Sequence, residues 1–185
     1  YAEAKKGVED GAGELDARRR YVCGYLVADW REQVEEGKDA PYESLQKQLP
    51  HVYRDFREMR ENGVEFLAGT DVGVLFMYPG FSLHDELEKL VREFSFRPME
   101  VLRIATYNPA VFYGAEREFG SIESGKVADL VLLDANPVPD IRNTRRIQGV
   151  MTRGRWLDQA ALDRLLREVE EAAASGCGPT RISPH

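Results

Sequence analysis

Residues 64–71 read VEFLAGTD, a short run of apolar and small residues that ends on a carboxylate. The run shows almost no polar alternation, and a strand of this kind is usually buried on both faces, as in a parallel sheet. Asp71 therefore stands where a buried strand is predicted to end, with Gly69 and Gly73 on either side. Such an acid is either an N-cap or loop carboxylate beside a strand, or part of a site at the strand's end.

Helical patterns flank this predicted strand on both sides. Asn62-Gly63 is a helix stop signal, because both residues tolerate the left-handed conformation of a C-cap. Pro98 suits the first turn of a helix, where its missing N–H costs nothing. The predicted helices cover residues 26–34 with Trp30 as anchor, 42–61 as one helix or a pair interrupted near Pro50, a helix from Ser82, one from Pro98, a short one from Asn108 through Tyr113, and 159–174.

The pattern changes at Gly120, where a small β unit is predicted. Residues 120–134 carry turn chemistry followed by a strand over 129–133, and residues 147–157 read as two short strands. Arg153-Gly154 between those two strands is a hairpin signal. Residues 175–185 are predicted to be a disordered tail.

Charge and cysteine content exclude several classes of protein. The 185 residues carry a formal net charge of −7, which argues against binding of nucleic acid or anionic membrane. No segment approaches the roughly 20 apolar residues of a bilayer span.

Cys23 and Cys177 lie far apart, so we expect neither a disulfide framework nor a thiolate zinc site. A reducing, cytoplasmic compartment is therefore the default expectation. No leader is visible, and because residue 1 is Tyr1, the chain is expected to be processed or part of something longer.

Several motifs, taken in order, resemble the C-terminal part of the amidohydrolase superfamily. They are GTD at 69–71, PGFSLHDEL at 79–87, ATYNPA at 105–110, GSIESGKVADLVLLDANP at 120–137 and DIRNTRRIQGVMTRGRWLD at 140–158. They look most like the branch of imidazolonepropionase-like enzymes and metal-dependent dipeptidases of the Xaa-Pro and Xaa-Arg type. The pattern G-x-I-x-x-G-x-x-A-D-L-V is the most specific among them.

The resemblance implies an α/β fold: the C-terminal portion of a metal-dependent (β/α)8 barrel plus returning strands of a small β-sandwich. Residues 1–118 would be the end of the barrel, with its last strand at about 64–71, residues 119–158 the sandwich strands, and residues 159–185 a terminal helix and flexible tail. A complete barrel takes about 250 residues, so this chain would supply only a portion of one.

The resemblance also implies a role for Asp71 as a metal ligand and catalytic residue. Active sites of barrels lie at the carboxyl ends of the strands. The matching aspartate of the family binds a divalent metal, expected here to be zinc, with one or two ions in the complete protein. A divalent cation lowers the pKa of bound water toward ~7, and a carboxylate beside it can take the proton and pass it to the leaving nitrogen.

Two residues after Asp71 are candidates for substrate binding, His84 and Tyr78. The histidine of the family's SLH-x-EL pattern would face substrate or orient the loop at 73–80; the alternative is a packing or capping histidine. Tyr78, like Phe81, would line the pocket or simply cover the barrel mouth. Three arginines are predicted to form a solvated face or interdomain ion pairs: Arg142, Arg145 and Arg146.

Most metal ligands implied by the resemblance are missing from this sequence. The family needs an H-x-H on the first strand, a lysine or acid on the fourth and histidines on the fifth and sixth, whereas His51, His84 and His185 form no H-x-H. Zinc usually takes at least three protein ligands, so the segment alone is expected to bind no catalytic metal tightly and to be inactive.

The complete protein is therefore expected to hydrolyse a carbon–nitrogen bond of a small-molecule substrate, either a cyclic amide or a dipeptide. The alternative is a noncatalytic structural or interaction subunit that docks on a partner barrel. In either case the strand at 64–71 would have open edges, so we expect poor solubility alone or a partner: the missing barrel portion or a homo-oligomer.

Overall fold

A computed structural model describes residues 16–36 and 42–177, without side chains for 42–46. Its helices are α1 (Gly24–Glu36), α2 (Tyr42–Glu61), α3 (Ser82–Arg92), α4 (Pro98–Ala105), α5 (Tyr107–Phe112) and α6 (Gln159–Ala174), with 3₁₀ turns at Ala17–Tyr21 and Ile141–Arg145. The strands are β1 (Leu130–Leu133), β2 (Ile147–Thr152) and β3 (Arg155–Asp158). None of the described helices is both long enough and apolar enough to cross a bilayer.

The described residues form two compact units. The first unit contains residues 16–36, 42–46, 71–81 and 163–177, and the second contains residues 47–70 and 82–162.

In the first unit, α1 packs against the loop at 71–81. Trp30 is fully buried, as expected for the anchor of this helix. Its ring lies 5.6 Å from the ring of Phe76 and 5.4 Å from that of Tyr78. Val22 and Val27 complete this core. Buried aromatic pairs of this kind contribute beyond their area, so α1 is the main support of the loop.

A disulfide joins Cys23 and Cys177 within the first unit, and the prediction that the chain has no disulfide framework is wrong. Their Cα atoms lie 5.6 Å apart, although 154 residues separate them in sequence. Sequence spacing could not show this, because the fold brings the residues after α6 back to the start of α1. A stable disulfide is typical of oxidising compartments, and the expected cytoplasmic location stays a prediction. Of the predicted disordered tail, residues 178–185 lie outside the described residues.

In the second unit, α3 and α4 enclose a core together with the 3₁₀ turn before β2. Val101 is fully buried at its centre. The other buried members of this core are Leu87, Leu90, Phe96, Ile104 and Ile141. Pro98 opens α4 as predicted, and Glu100 accepts a hydrogen bond from the Arg97 N–H at 2.7 Å, which satisfies a backbone donor at the helix start.

Helix α2 continues through Pro50 without interruption, so the structure contains one helix rather than a pair. A proline removes one backbone hydrogen bond and usually kinks a helix. Here the segment beyond it is held by aromatic packing: the Phe56 ring lies 5.5 Å from Phe66 and 4.5 Å from Phe94. This packing offsets part of the cost of the proline.

The strand predicted over about 64–71 is not formed in the described part of the chain. Residues 64–70 carry no regular secondary structure, because no strand lies beside them to complete a ladder. The Ala68 N–H donates instead to the Ile104 carbonyl of α4 at 3.3 Å. The barrel is thus not shown, and the assignment of residues 1–118 to it stays a prediction.

The small β unit is an antiparallel sheet in the order β1-β2-β3. Val131 pairs with Val150 and Met151 pairs with Trp156. The hairpin turns at Arg153-Gly154, where both residues have positive φ, as the turn signal predicted. Val131, Leu132 and Trp156 remain exposed, so part of this sheet's apolar surface is uncovered.

Candidate functional site

Asp71 begins the loop of the first unit and occupies a tight turn. Its φ is 52°, in the left-handed region, which aspartate adopts more readily than most residues. The Val74 N–H donates to the Asp71 carbonyl at 3.1 Å, which closes the turn, and Gly73 has a φ of 119°. Asp71 is exposed, and no N-capping bond to its carboxylate is seen among the described residues. Its side chain is therefore available to a ligand.

The described residues do not by themselves fit a zinc site. No group of three or more His, Cys, Asp or Glu side chains among them lies close enough to hold an ion. Asp71 supplies one carboxylate, whereas zinc usually takes at least three protein ligands.

The backbone just before Asp71 is held by a residue that sequence reasoning did not single out. In the second unit the Gly69 N–H donates to Glu86 Oε1 at 2.9 Å. The other carboxylate oxygen, Oε2, is buried and has no hydrogen-bond partner among the described residues. Glu86 is the glutamate of the SLHDEL motif, and its place in that motif was the available signal.

Tyr78 lies in the core of the first unit rather than at an open surface. It is only 2% exposed, its ring meets Trp30 edge-on, and the Arg18 guanidinium carbon lies 4.4 Å from the ring centroid. Nearby, the Phe81 ring stacks on Tyr21 at 5.3 Å. Tyr78 and Phe81 thus take part in packing, one of the two roles that the sequence left open for them. Contact between Tyr78 and a substrate stays a prediction.

His84 belongs to the second unit and sits half-buried in the first turn of α3. Its Nδ1 lies 3.0 Å from Thr144 Oγ1. The pKa of the imidazole is lowered, chiefly by burial and then by the charge of Arg145, while Asp85 partly opposes the shift. Arg145 itself pairs with Asp85 at 2.6 Å and with Glu88 at 2.9 Å. The helix is thus joined to the turn that precedes β2.

The other two arginines of the predicted cluster also form ion pairs. Arg142 pairs with Asp140 at 2.8 Å, and Arg146 pairs with Asp134. Both ion pairs lie within the second unit.

A cavity of about 200 Å³ lies at the start of the 64–70 segment in the second unit. Arg60 lines this cavity, and its guanidinium donates to the Ser95 carbonyl at 2.8 Å and to the Glu100 carboxylate at 2.9 Å. The hydrogen bond from the Arg97 side chain is the main reason that the pKa of Glu100 falls to about 2. Asn108 donates to Glu65 and to the Phe66 carbonyl, so it joins α5 to the start of the 64–70 segment.

Comparison with known proteins gives consistent matches. Residues 19–157 match the model of the amidohydrolase family. An imidazolonepropionase from Thermoplasma acidophilum is 37% identical over 95 residues, which cover 50% of this chain and 22% of that protein.

Two solved structures share the fold over part of their length. A Xaa-Pro dipeptidase with bound methionine aligns with a TM-score of 0.52 and 32% identity, covering 59% of this chain and 26% of that one. Molinate hydrolase aligns with a TM-score of 0.51 and 31% identity, covering 60% and 27%. The chain therefore spans about a quarter of the length of these relatives.

Proposed function

The chain belongs to the amidohydrolase family, and from this membership we propose that it is the C-terminal segment of a metal-dependent hydrolase acting on carbon–nitrogen bonds. The observation that carries the proposal is the family match over residues 19–157, which includes Asp71, His84 and all but the last residue of the small β unit. The similar proteins named imidazolonepropionase and Xaa-Pro dipeptidase support a cyclic amide or a dipeptide as the substrate of the complete protein.

Asp71 is proposed as one ligand of a divalent metal, with zinc as the expected ion. Its exposed carboxylate and fixed turn support this role. The remaining ligands would come from residues outside the described part of the chain or from outside this chain. A carboxylate held at the reaction centre can also accept the proton of attacking water and return it to the leaving nitrogen.

His84 is the stronger of the two substrate-binding candidates. It is half-buried, oriented by a hydrogen bond, and keeps one ring nitrogen available. Tyr78 is a weaker candidate, since its ring is enclosed in the first unit. The missing barrel portion or a second copy of the chain is the proposed partner.

The test uses the complete polypeptide encoded by the reading frame that contains this segment. It is expressed with added zinc, and its metal content and hydrolysis of imidazolones, other cyclic amides and Xaa-Pro dipeptides are measured. Asp71→Asn is expected to lower kcat/KM about 100-fold or more and to reduce bound metal. Asp55→Asn is the matched control, because Asp55 is exposed and its ion pair among the described residues is with its neighbour Arg54. Full metal content and full activity in Asp71→Asn would overturn the proposal.

The alternative function is a noncatalytic subunit that docks on a partner barrel. The exposed apolar residues of the small sheet favour it, namely Val131, Leu132 and Trp156. A complete polypeptide that hydrolyses none of these substrates but forms a stable complex with a separate barrel protein would support this alternative.

A further inference from the structure

His84 and Thr144 form a contact that links two distant parts of the second unit. His84 is in the first turn of α3, and Thr144 is in the 3₁₀ turn Ile141–Arg145. His84 Nδ1 lies 3.0 Å from Thr144 Oγ1. Thr144 is only 6% exposed, so water competes little for its hydroxyl group. The chemistry of this contact therefore depends on where the hydroxyl hydrogen lies.

The threonine hydroxyl has a single hydrogen, and its position is determined by a second contact. Thr144 Oγ1 lies 2.9 Å from the Ile141 carbonyl oxygen, and a carbonyl oxygen can only accept. If the hydrogen pointed to the imidazole, two oxygen lone pairs would face each other at this distance. The hydroxyl therefore donates to Ile141, and its oxygen accepts. The hydrogen between His84 and Thr144 must then belong to Nδ1.

The charge state of the ring follows from its surroundings. The pKa of His84 is lowered first by burial and then by Arg145 on the facing turn, and Asp85 on its own helix only partly offsets this. The other acids near this turn are paired with arginines, Glu88 with Arg145 at 2.9 Å and Asp140 with Arg142 at 2.8 Å. The ring is thus neutral at neutral pH, and Nε2 carries a lone pair. No described residue forms a hydrogen bond with Nε2.

We propose that Thr144 is a positioning residue that fixes His84 as its Nδ1–H tautomer, so that Nε2 accepts a hydrogen bond from an N–H group of a ligand. A carboxylate or phosphate oxygen is disfavoured there, because it would meet a lone pair instead of a donor. Cyclic amides and peptides carry such N–H groups. That this ligand is the substrate rests on the proposed function, whereas the tautomer does not.

The tautomer can be measured on the 185-residue chain without any activity. The chain has three histidines, so long-range ¹H–¹⁵N spectra of the labelled protein are simple, and His84→Gln identifies the signals of His84. We expect a protonated Nδ1 and an unprotonated Nε2 at neutral pH. A protonated Nε2 in the unaltered chain would overturn the proposal, whatever the outcome for metal binding or hydrolysis.

Matched variants test the role of the hydroxyl group. Thr144→Ser keeps the oxygen and should preserve the Nδ1–H tautomer, whereas Thr144→Val removes it and should shift the ring toward Nε2–H. Equal spectra for the two variants would refute the positioning role. If Thr144→Val does not fold, the unaltered chain and Thr144→Ser still decide the tautomer.

The choice of ligand is tested with two small probes. Hydantoin, which has ring N–H groups, is expected to shift the Nε2 resonance of His84, and acetate at the same concentration is not. A larger shift with acetate, or no shift with hydantoin, would refute the assignment of Nε2 as the acceptor for an N–H group.

Discussion

Breaking the bond between Cys23 and Cys177 is expected to destabilise the first unit by several kcal/mol. The bond closes a loop in which 154 residues separate its ends. For a loop of this length, the entropy of the unfolded chain accounts for roughly 5 kcal/mol, while measured values for disulfides are typically 2–4 kcal/mol. We therefore expect the free energy of unfolding to fall by about 2–5 kcal/mol when the bond is reduced or when both cysteines become serine.

The two tryptophans allow each unit to be followed separately. Trp30 lies in the core of the first unit, and Trp156 lies on β3 of the second. In a Trp156→Phe background, fluorescence during urea unfolding reports Trp30 alone. Reduction should move its midpoint down by about 1–2.5 M urea for an m of about 2 kcal/mol/M, the middle of the range for small proteins.

The control is the double variant Cys23→Ser/Cys177→Ser, whose midpoint should not respond to reductant. The reasoning fails if the unaltered chain unfolds at the same urea concentration with and without reductant. It also fails if two free thiols are found in the folded protein under nonreducing conditions. Because α1 packs on the loop that carries Asp71, loss of the bond should also raise hydrogen exchange in residues 71–81.

Two further predictions concern the second unit. Glu100 has a folded pKa of about 2 against an ordinary value of 4.5, so its stabilisation is complete above about pH 4.5 and is lost as pH falls through about 2. The shift alone implies a stabilisation of roughly 3 kcal/mol, but the Glu100 side chain is 29% exposed, so solvent screening reduces it to about 1–2 kcal/mol. The free energy of unfolding of the unaltered chain should therefore exceed that of Glu100→Gln by this amount at neutral pH. In acid titrations this difference should disappear as the pH falls through about 2. Gly149→Ala would place a Cβ 2.3 Å from the Trp156 ring and should cost about 1–3 kcal/mol in thermal unfolding. Gly24→Ala, which meets nothing within 4 Å, should be close to neutral, and equal melting temperatures for the two variants would contradict the clash.

The structural elements that the sequence predicted correctly are specified by signals within a few residues of the chain. Pro98 at the start of α4 and Arg153-Gly154 in the hairpin act through the backbone conformation of one or two residues. The segment at 64–71 is different. Its apolar pattern indicates burial, but a strand also needs a neighbour, and the described residues contain none beside it. The pattern alone does not reveal whether such a neighbour is present.

The residues of the candidate site also fall into two groups, those with a local sequence signal and those without one. Asp71 and His84 were singled out as candidates because they lie in recognisable motifs, and their roles stay predictions. Thr144 and the contact of Glu86 with Gly69 were not, because the relevant hydrogen bonds join residues 60 and 17 positions apart. Neither spacing matches a helix or strand period, and the Cys23–Cys177 pair is further apart still. Contacts of this range are set by the tertiary fold.

The covalent link between Cys23 and Cys177 also has a consequence for biosynthesis. A chain emerges from the ribosome in sequence order, and residues 47–70 and 82–162, which make up the second unit, are all translated before Cys177. The second unit can therefore complete its core while Cys23 is still a free thiol. A nascent chain that ends at residue 162, followed by a linker long enough to bring that residue out of the ribosomal exit tunnel, should show a protected second unit and an alkylatable Cys23, so the surroundings of Asp71 would mature last.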